Sequence, residues 1–438
     1  MIFATALAAR SEAGPVVITA DRSLDLAQAQ ALCPAPDIPR RVALSIGDVA
    51  TLVQTLAALD GAVEALLLIS SALPAEPAQA LCTAAGCEWL ISDRDDLDGA
   101  IPPDQALNKG EVARRVQTQW IMTTSGTTGM PKMVVHHLDS LTRSLRRRKP
   151  GAAQPVWGLS YEATRFAGLQ VVLQAVLGDG VLVAPDLSLD LPQRIALLAR
   201  HQVSHMSATP TLWRSILMHP AARTLPLRQI TLGGEIADQP VLEALRARFP
   251  EARLTHIYAS TEAGVGFSVQ DGREGFPAGY LAEGPGGVDL KIAENRLWIR
   301  PPGPRTAYLG DQVLTYDADG YVDTQDVVRQ DGDRVLFAGR DSGMVSVGGT
   351  KVFPEEVERV INALPGVAMA RVSAKRNPFS GAILVAMLVP EEEPADPDAF
   401  KSEIIRQCRA RLPKEAAPAM VQLVTGFDIN AAGKLQRG

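Results

Sequence analysis

The sequence predicts an α/β fold: a large N-terminal domain with mixed and parallel sheets in βα layers, followed by a small α+β domain. Three observations carry this. Helical and apolar extended stretches alternate through the middle of the chain, a hydroxyl-rich loop lies between two apolar runs, and the pattern changes after Val345. The 438 residues suggest about two or three domains, and 46% hydrophobic content supplies the cores.

Residues 48–71 read as a helix and then a strand. Gln119-Trp120-Ile121-Met122 and Met133-Val134-Val135 read as strands, which places the loop between them at a strand-to-strand turn. Residues 192–200 read as helix, 204–208 as strand, 211–217 as helix, 229–232 as strand, 241–248 as helix and 254–259 as strand. Such a rhythm implies βα units and a largely parallel sheet. Gly233 and Tyr258 then fall just past strand ends, where open α/β sheets collect ligands. After Val345 a helix is expected from Pro354, because proline suits the first helical position and Glu355 and Glu356 suit the positive helix end. Strands at 369–373 and 383–389, a helix at 398–412 and a strand at 421–425 complete the small domain. The boundary lies within 339–343 and divides 1–340 from 341–438. Residues 391–397, acidic and proline-containing, are a solvated loop.

Composition narrows the function to small-molecule chemistry. A net charge of −6 offers no general attraction to nucleic acid or to anionic lipid. The apolar residues 2–9 lack a basic start, and no run approaches the ~20 apolar residues that span a bilayer. A cytoplasmic location is therefore expected, with neither nucleic acid nor membrane as partner. Cys33, Cys82, Cys87 and Cys408 form neither a disulfide framework nor a Cys-x-x-Cys site, and buried thiols are expected. His201 and His205 have the spacing of a zinc pair without a glutamate beside the first, and read as structural.

The loop itself points to polyphosphate. Thr123, Thr124, Ser125, Thr127 and Thr128 supply hydroxyl donors, Gly126 and Gly129 let backbone N–H groups turn inward, and Lys132 adds a full positive charge. It is not a Walker loop, since Pro131 precedes the lysine and Met133 follows it.

Five further segments follow in order: Gly233-Gly234-Glu235; Tyr258-Ala259-Ser260-Thr261-Glu262; Tyr321-Val322-Asp323-Thr324-Gln325-Asp326; Gly339-Arg340 with the glycine-rich stretch through Gly348-Gly349; and Gly433-Lys434-Leu435-Gln436-Arg437. Together with the loop they resemble motifs of the adenylate-forming superfamily of acyl-CoA synthetases, peptide-synthetase adenylation domains and luciferases. The likeness is strongest to an acyl- or aryl-CoA ligase with a shortened N-terminal lobe. It implies ATP and Mg2+ as cofactors, a small-molecule carboxylic acid as substrate, and coenzyme A or the phosphopantetheine of an acyl carrier protein as thiol acceptor.

The resemblance also assigns roles. Residues 123–132 would wrap the β- and γ-phosphates, Glu262 would help hold the magnesium, and Thr261 would contact the phosphate region. The turn at Gly233, Gly234 and Glu235, with Tyr258, Ala259 and Ser260, would line the nucleotide pocket. Asp326 would accept from both ribose hydroxyls with Arg340 beside it, and Lys434 would bridge carboxylate, ribose and α-phosphate. In the family the small domain is mobile: it turns after adenylation, withdraws the lysine, and brings its glycine-rich loop, here Gly348 and Gly349, to a pantetheine tunnel. The pivot falls on Asp341 or Ser342.

Departures from the family pattern bear on the substrate. The Phe-His pair that gates the acyl pocket is missing from residues 161–169, and Arg165 falls near the histidine's place. A guanidinium there either meets a second carboxylate on the substrate or holds Glu162. The basic run Arg143, Arg146, Arg147, Arg148 and Lys149 is expected on a helix, as a solvated face or as a dock for a coenzyme phosphate or an acidic carrier. A homodimer is left open, and so is a catalytically silent nucleotide- or acyl-binding regulator.

Overall fold

A computed structural model describes residues 2–11, 14–110, 116–124, 131–303, 306–310, 314, 316–377 and 381–427. Three main sheets build the large domain, beside a two-stranded ribbon of Leu32–Pro34 and Leu107–Lys109. The first has six strands in the order Ala307–Tyr308, Met133–His137, Gln119–Thr123, Ala65–Leu68, Arg41–Ser45 and Trp89–Ser92. Its last four are parallel, and Gln119–Thr123 turns back antiparallel into Met133–His137. The phosphate-loop segment therefore joins two neighbouring strands, as expected. Thr124 N–H donates to Lys132 O at 2.9 Å and closes its base.

The second sheet has eight strands, and its working half runs His205–Ala208, Gln229–Gly233, Arg253–Ser260, Gly264–Val269. The first three are parallel and separated by the helices Pro210–Met218 and Gln239–Arg248, so the βα rhythm read from sequence is realised. Local chemistry fixes these starts. Thr209 and Asp238 accept from Leu212 N–H and Val241 N–H, and a proline occupies the first turn of each helix. Arg253–Ser260 then reverses into Gly264–Val269, a hairpin whose tip is residues 261–263.

The third sheet is antiparallel, with Phe276–Pro277, Arg334–Arg340, Val322–Asp331, Arg296–Arg300 and Asp289–Ala293 in that order. Asp326 lies directly opposite Arg340 in its register.

Under the first two sheets a continuous core gathers Trp120, Phe3, Leu44, Leu52 and Leu66 with helices Val49–Leu59 and Phe166–Leu177. Asp60 is buried within it, accepting from Trp120 Nε1–H at 2.9 Å and from Phe3 N–H at 2.7 Å. A buried carboxylate is tolerated there because hydrogen-bond donors meet both oxygens.

The smaller C-terminal domain has its own core, formed by helices Pro354–Asn362 and Pro397–Arg411 against the sheet Val367–Asn377, Gly381–Pro390, Met420–Leu423. Before it, Val345–Val347 and Thr350–Val352 form a hairpin. Its turn is Gly348-Gly349, both with positive φ (57° and 87°), the backbone that a two-residue hairpin turn demands. Residues 341–343 make a single 3₁₀ turn between the strand ending at Arg340 and this hairpin.

One expectation is corrected. The basic run is not helical, since the helix after Met133–His137 ends at Leu141. Its guanidiniums are drawn to backbone carbonyls instead: Arg143 to Val265 and Pro302, Arg147 to Ala6 and Ala9, Arg148 to Ala152. Among the described residues no helix is long and apolar enough to cross a membrane. All four cysteines are free, with Cys82 and Cys408 buried and Cys33 and Cys87 partly so.

Candidate active site

The three sheets meet around one cavity of about 1760 Å³. It exceeds the roughly 300–1,000 Å³ of a single small-ligand pocket, so it has room for a nucleotide and a second substrate. The first sheet contributes Thr123, Thr124 and Lys132, the second Gly233 to Glu235 and Tyr258 to Glu262, and the third Asp326 and Arg340. These described members of the motif set face the same space.

Asp326 is held by two side chains. Tyr258 OH donates to its Oδ2 at 2.5 Å and Arg340 Nε–H to its Oδ1 at 3.2 Å. A carboxylate has about four lone-pair positions, so about two stay available for further donors. Tyr258 is fixed in turn by parallel packing on Phe267 and Phe337, with centroids at 5.2 and 5.4 Å. Burial, helped by the Asp326 charge, pushes its phenol well above the usual value, so it stays a donor.

Glu262 occupies the hairpin tip. Its Oε1 accepts from Tyr308 OH at 3.2 Å, and its backbone oxygen accepts from Thr306 Oγ1. Tyr308 belongs to the two-residue strand that pairs with Met133–His137, and its ring lies under Lys132 Nζ at 5.0 Å. One side chain thus ties the lysine of the first sheet to the glutamate of the second. The adjacent Thr261 O meets His136 Nε2 at 2.8 Å, and burial brings that imidazole down to about 4. At neutral pH it is uncharged and its Nε2–H donates to the carbonyl. Sequence reasoning missed both Tyr308 and His136.

The turn at 233–235 needs its second glycine, since Gly234 has φ of 84°. Glu235 Oε2 accepts from Thr211 N–H at 3.1 Å in the first turn of Pro210–Met218. Arg165 lines the cavity, and its Nε–H meets Glu162 Oε2 at 3.3 Å. Glu162 is buried and also receives Ser70 Oγ–H, Ser71 N–H and Thr164 Oγ1–H, so this contact is the structural one of the two expected for Arg165.

Gly348 and Gly349 do not line the cavity, although Ser342 of the preceding turn does. Ser125, Gly126, Thr127, Thr128, Gly129 and Lys434 lie outside the described residues. Among the described residues no group of three or more His, Cys, Asp or Glu side chains is arranged to hold a metal.

Comparison with known proteins gives a consistent picture. The family model described as AMP-binding enzyme matches residues 53–303, and that of the AMP-binding enzyme C-terminal domain matches 356–434. The chain is 29% identical over 435 residues to the probable non-canonical nonribosomal peptide synthetase CymA of Salinispora arenicola, covering 88% of this chain but only 5% of that protein. It is 26% identical over 367 residues to 2-succinylbenzoate–CoA ligase of Bacillus velezensis, covering 79% of this chain and 72% of that one. The fold superposes on the anthranilate CoA ligase AuaEII in complex with anthranoyl-AMP, with a TM-score of 0.79, 17% identity and coverage of 100% and 96%.

Proposed function

The chain belongs to the AMP-binding enzyme family, and from that premise we propose that it activates a carboxylic acid as its acyl-adenylate and passes the acyl group to the thiol of coenzyme A. The supporting observation is the convergence of Lys132, Glu262, Asp326 and Arg340 from three sheets on one cavity. The obstacle to adenylation is charge, because a carboxylate oxygen must bond to an α-phosphorus ringed by anionic oxygens while pyrophosphate departs. Lys132 would hold the outer phosphates, Asp326 the ribose, and Tyr258 with 233–235 the base.

Magnesium fits this donor set. The ion is commonly held by one or two carboxylates together with substrate phosphates rather than by an all-protein cage, and Glu262 supplies a partly buried carboxylate lining the cavity. When bound it would neutralise phosphate charge. Tyr308 holds the glutamate that would take it. In the second step a thiolate adds to the acyl carbon and AMP leaves, which calls for a closed site because a mixed anhydride is open to water. Domain 341–438 would turn about residues 341–343, exchanging Lys434 for the Gly348-Gly349 hairpin.

The likeness to a nonribosomal synthetase favours one second reading, transfer to carrier-bound phosphopantetheine. The decisive experiment is magnesium-dependent exchange of labelled pyrophosphate into ATP with a panel of aliphatic, aromatic and dicarboxylic acids, followed by offering coenzyme A and carrier proteins. AMP is the expected product, and ADP would refute the adenylation step. Lys434→Ala should nearly abolish exchange but spare thiol transfer from supplied acyl-adenylate.

A further inference from the structure

The wall of the cavity carries a pattern that the nucleotide does not use. In the second sheet Ser207, Thr231 and Thr255 are paired in register across three adjacent parallel strands, so their side chains form one row on one face. All three line the cavity, and Thr231 and Thr255 are each only 5% exposed. The alternate residues of the same strands, Met206, Ile230 and Leu254, point the other way into an apolar core. Farther across that face, Trp157 and Leu159 join the apolar core that includes helix Phe166–Leu177. The hydroxyl row thus lies between that apolar core and the polar row His205, Gln229 and Arg253 two residues earlier on the same face.

Ser207 meets the Tyr161 hydroxyl, but partners within the protein leave the other two poorly satisfied. Thr231 Oγ1 accepts from Gln229 Nε2–H at 3.4 Å, a long contact. Thr255 Oγ1 is buried and has no hydrogen-bond partner among the described residues. Buried hydroxyls are nearly always paired, so an unpaired one on a cavity wall marks a place where something else supplies the partner.

We propose that the acid accepted by this cavity is not a plain alkyl or aryl acid but one that carries a hydroxyl, or another neutral hydrogen-bonding group, toward its far end. Thr255 precedes Tyr258 by three residues, about 10 Å of extended strand, so the group sits well away from the carboxylate that meets the nucleotide. Thr255 Oγ1 is its principal partner, with Thr231 and Ser207 beside it. The location of the carboxylate end rests on the adenylation reading, whereas the hydroxyl row does not. A site built around a substrate hydroxyl rejects the analogue lacking it, because the protein's own polar groups are then left unpaired.

The test uses matched acids: hexanoate, phenylpropanoate and benzoate, each against its terminal- or para-hydroxy derivative. Binding is read as the rise in melting temperature of the full chain, and turnover as pyrophosphate exchange. At least one hydroxy acid should raise the melting temperature more than its partner and exceed it by at least about tenfold in kcat/KM. Thr255→Val, which keeps the side-chain shape, should erase that preference, and Thr231→Val should reduce it. If Thr255→Val fails to fold, the Thr231→Val result and the wild-type preference decide the matter. Equal binding within every pair, or a preference that the valine variants leave intact, overturns the proposal. Selective binding without exchange would support the hydroxyl row and count against the adenylation reading instead.

Discussion

Replacing Tyr308 by phenylalanine removes one atom from the seam between two sheets, and its effect can be worked out from the contacts it breaks. The hydroxyl donates to Glu262 Oε1 at 3.2 Å, while the ring stays under Lys132 Nζ at 5.0 Å in the variant. A buried hydrogen bond to a charged group is worth about 1.5–3 kcal/mol, and the partial exposure of Tyr308 lowers this to about 1–2 kcal/mol, roughly five- to thirtyfold. If Glu262 helps hold magnesium, the loss should appear as a higher magnesium requirement in pyrophosphate exchange, with the KM for the acid unchanged. Tyr308→Leu also removes the ring, adding about 0.5–1 kcal/mol through the lysine and weakening ATP binding. A phenylalanine variant with wild-type magnesium dependence, or one altered only toward the acid, would refute the assignment.

Other consequences can be measured alongside. Asp326→Asn keeps the side-chain shape but removes the charge that Arg340 and Tyr258 meet, so the KM for ATP should rise about tenfold or more while acid binding is spared. Asp60→Ala leaves Trp120 Nε1–H and Phe3 N–H unpaired in the core, and the urea midpoint should fall by the equivalent of about 2–4 kcal/mol. Burial holds His136, His205 and His256 near 4 rather than the ordinary 6.5. The unfolded chain therefore takes up protons first, so the stability these residues contribute is complete above about 6.5 and declines as pH falls toward 4. A thermal-melting series should show that decline, with a shallower slope in His256→Gln.

The sequence was most legible where the signals are local. The strand Gln229–Gly233 and the helices Pro210–Met218 and Gln239–Arg248 lie within two residues of where the alternation puts them. Two segments only two residues long, by contrast, have no period to read. Tyr308 on Ala307–Tyr308 is one, and its partners Lys132 and Glu262 are distant in sequence. His136 lies on the longer strand Met133–His137 and was hidden because its partner is a backbone oxygen contributed by another sheet. The basic run misled because charge pattern suggests a solvated helical face, whereas the carbonyls that capture Arg143 and Arg147 come from Val265, Pro302, Ala6 and Ala9. Asp326 and Arg340 could each be picked out by motif, but their direct cross-strand pairing depends on a bulged register that no local signal encodes.

The buried cluster of the C-terminal domain is made entirely of residues from Val347 onward. Across the joint, Arg359 Nη1–H meets Glu274 Oε1 at 3.1 Å and Asn362 Nδ2–H meets Asp238 Oδ2 at 3.2 Å. Both contacts are polar, so water can replace each lost partner. Only the first of the two is an ion pair, and with its partners 29% and 20% exposed it is screened in part by dissolved ions. If the C-terminal domain turns as proposed, ionic strength becomes an external handle on that turn.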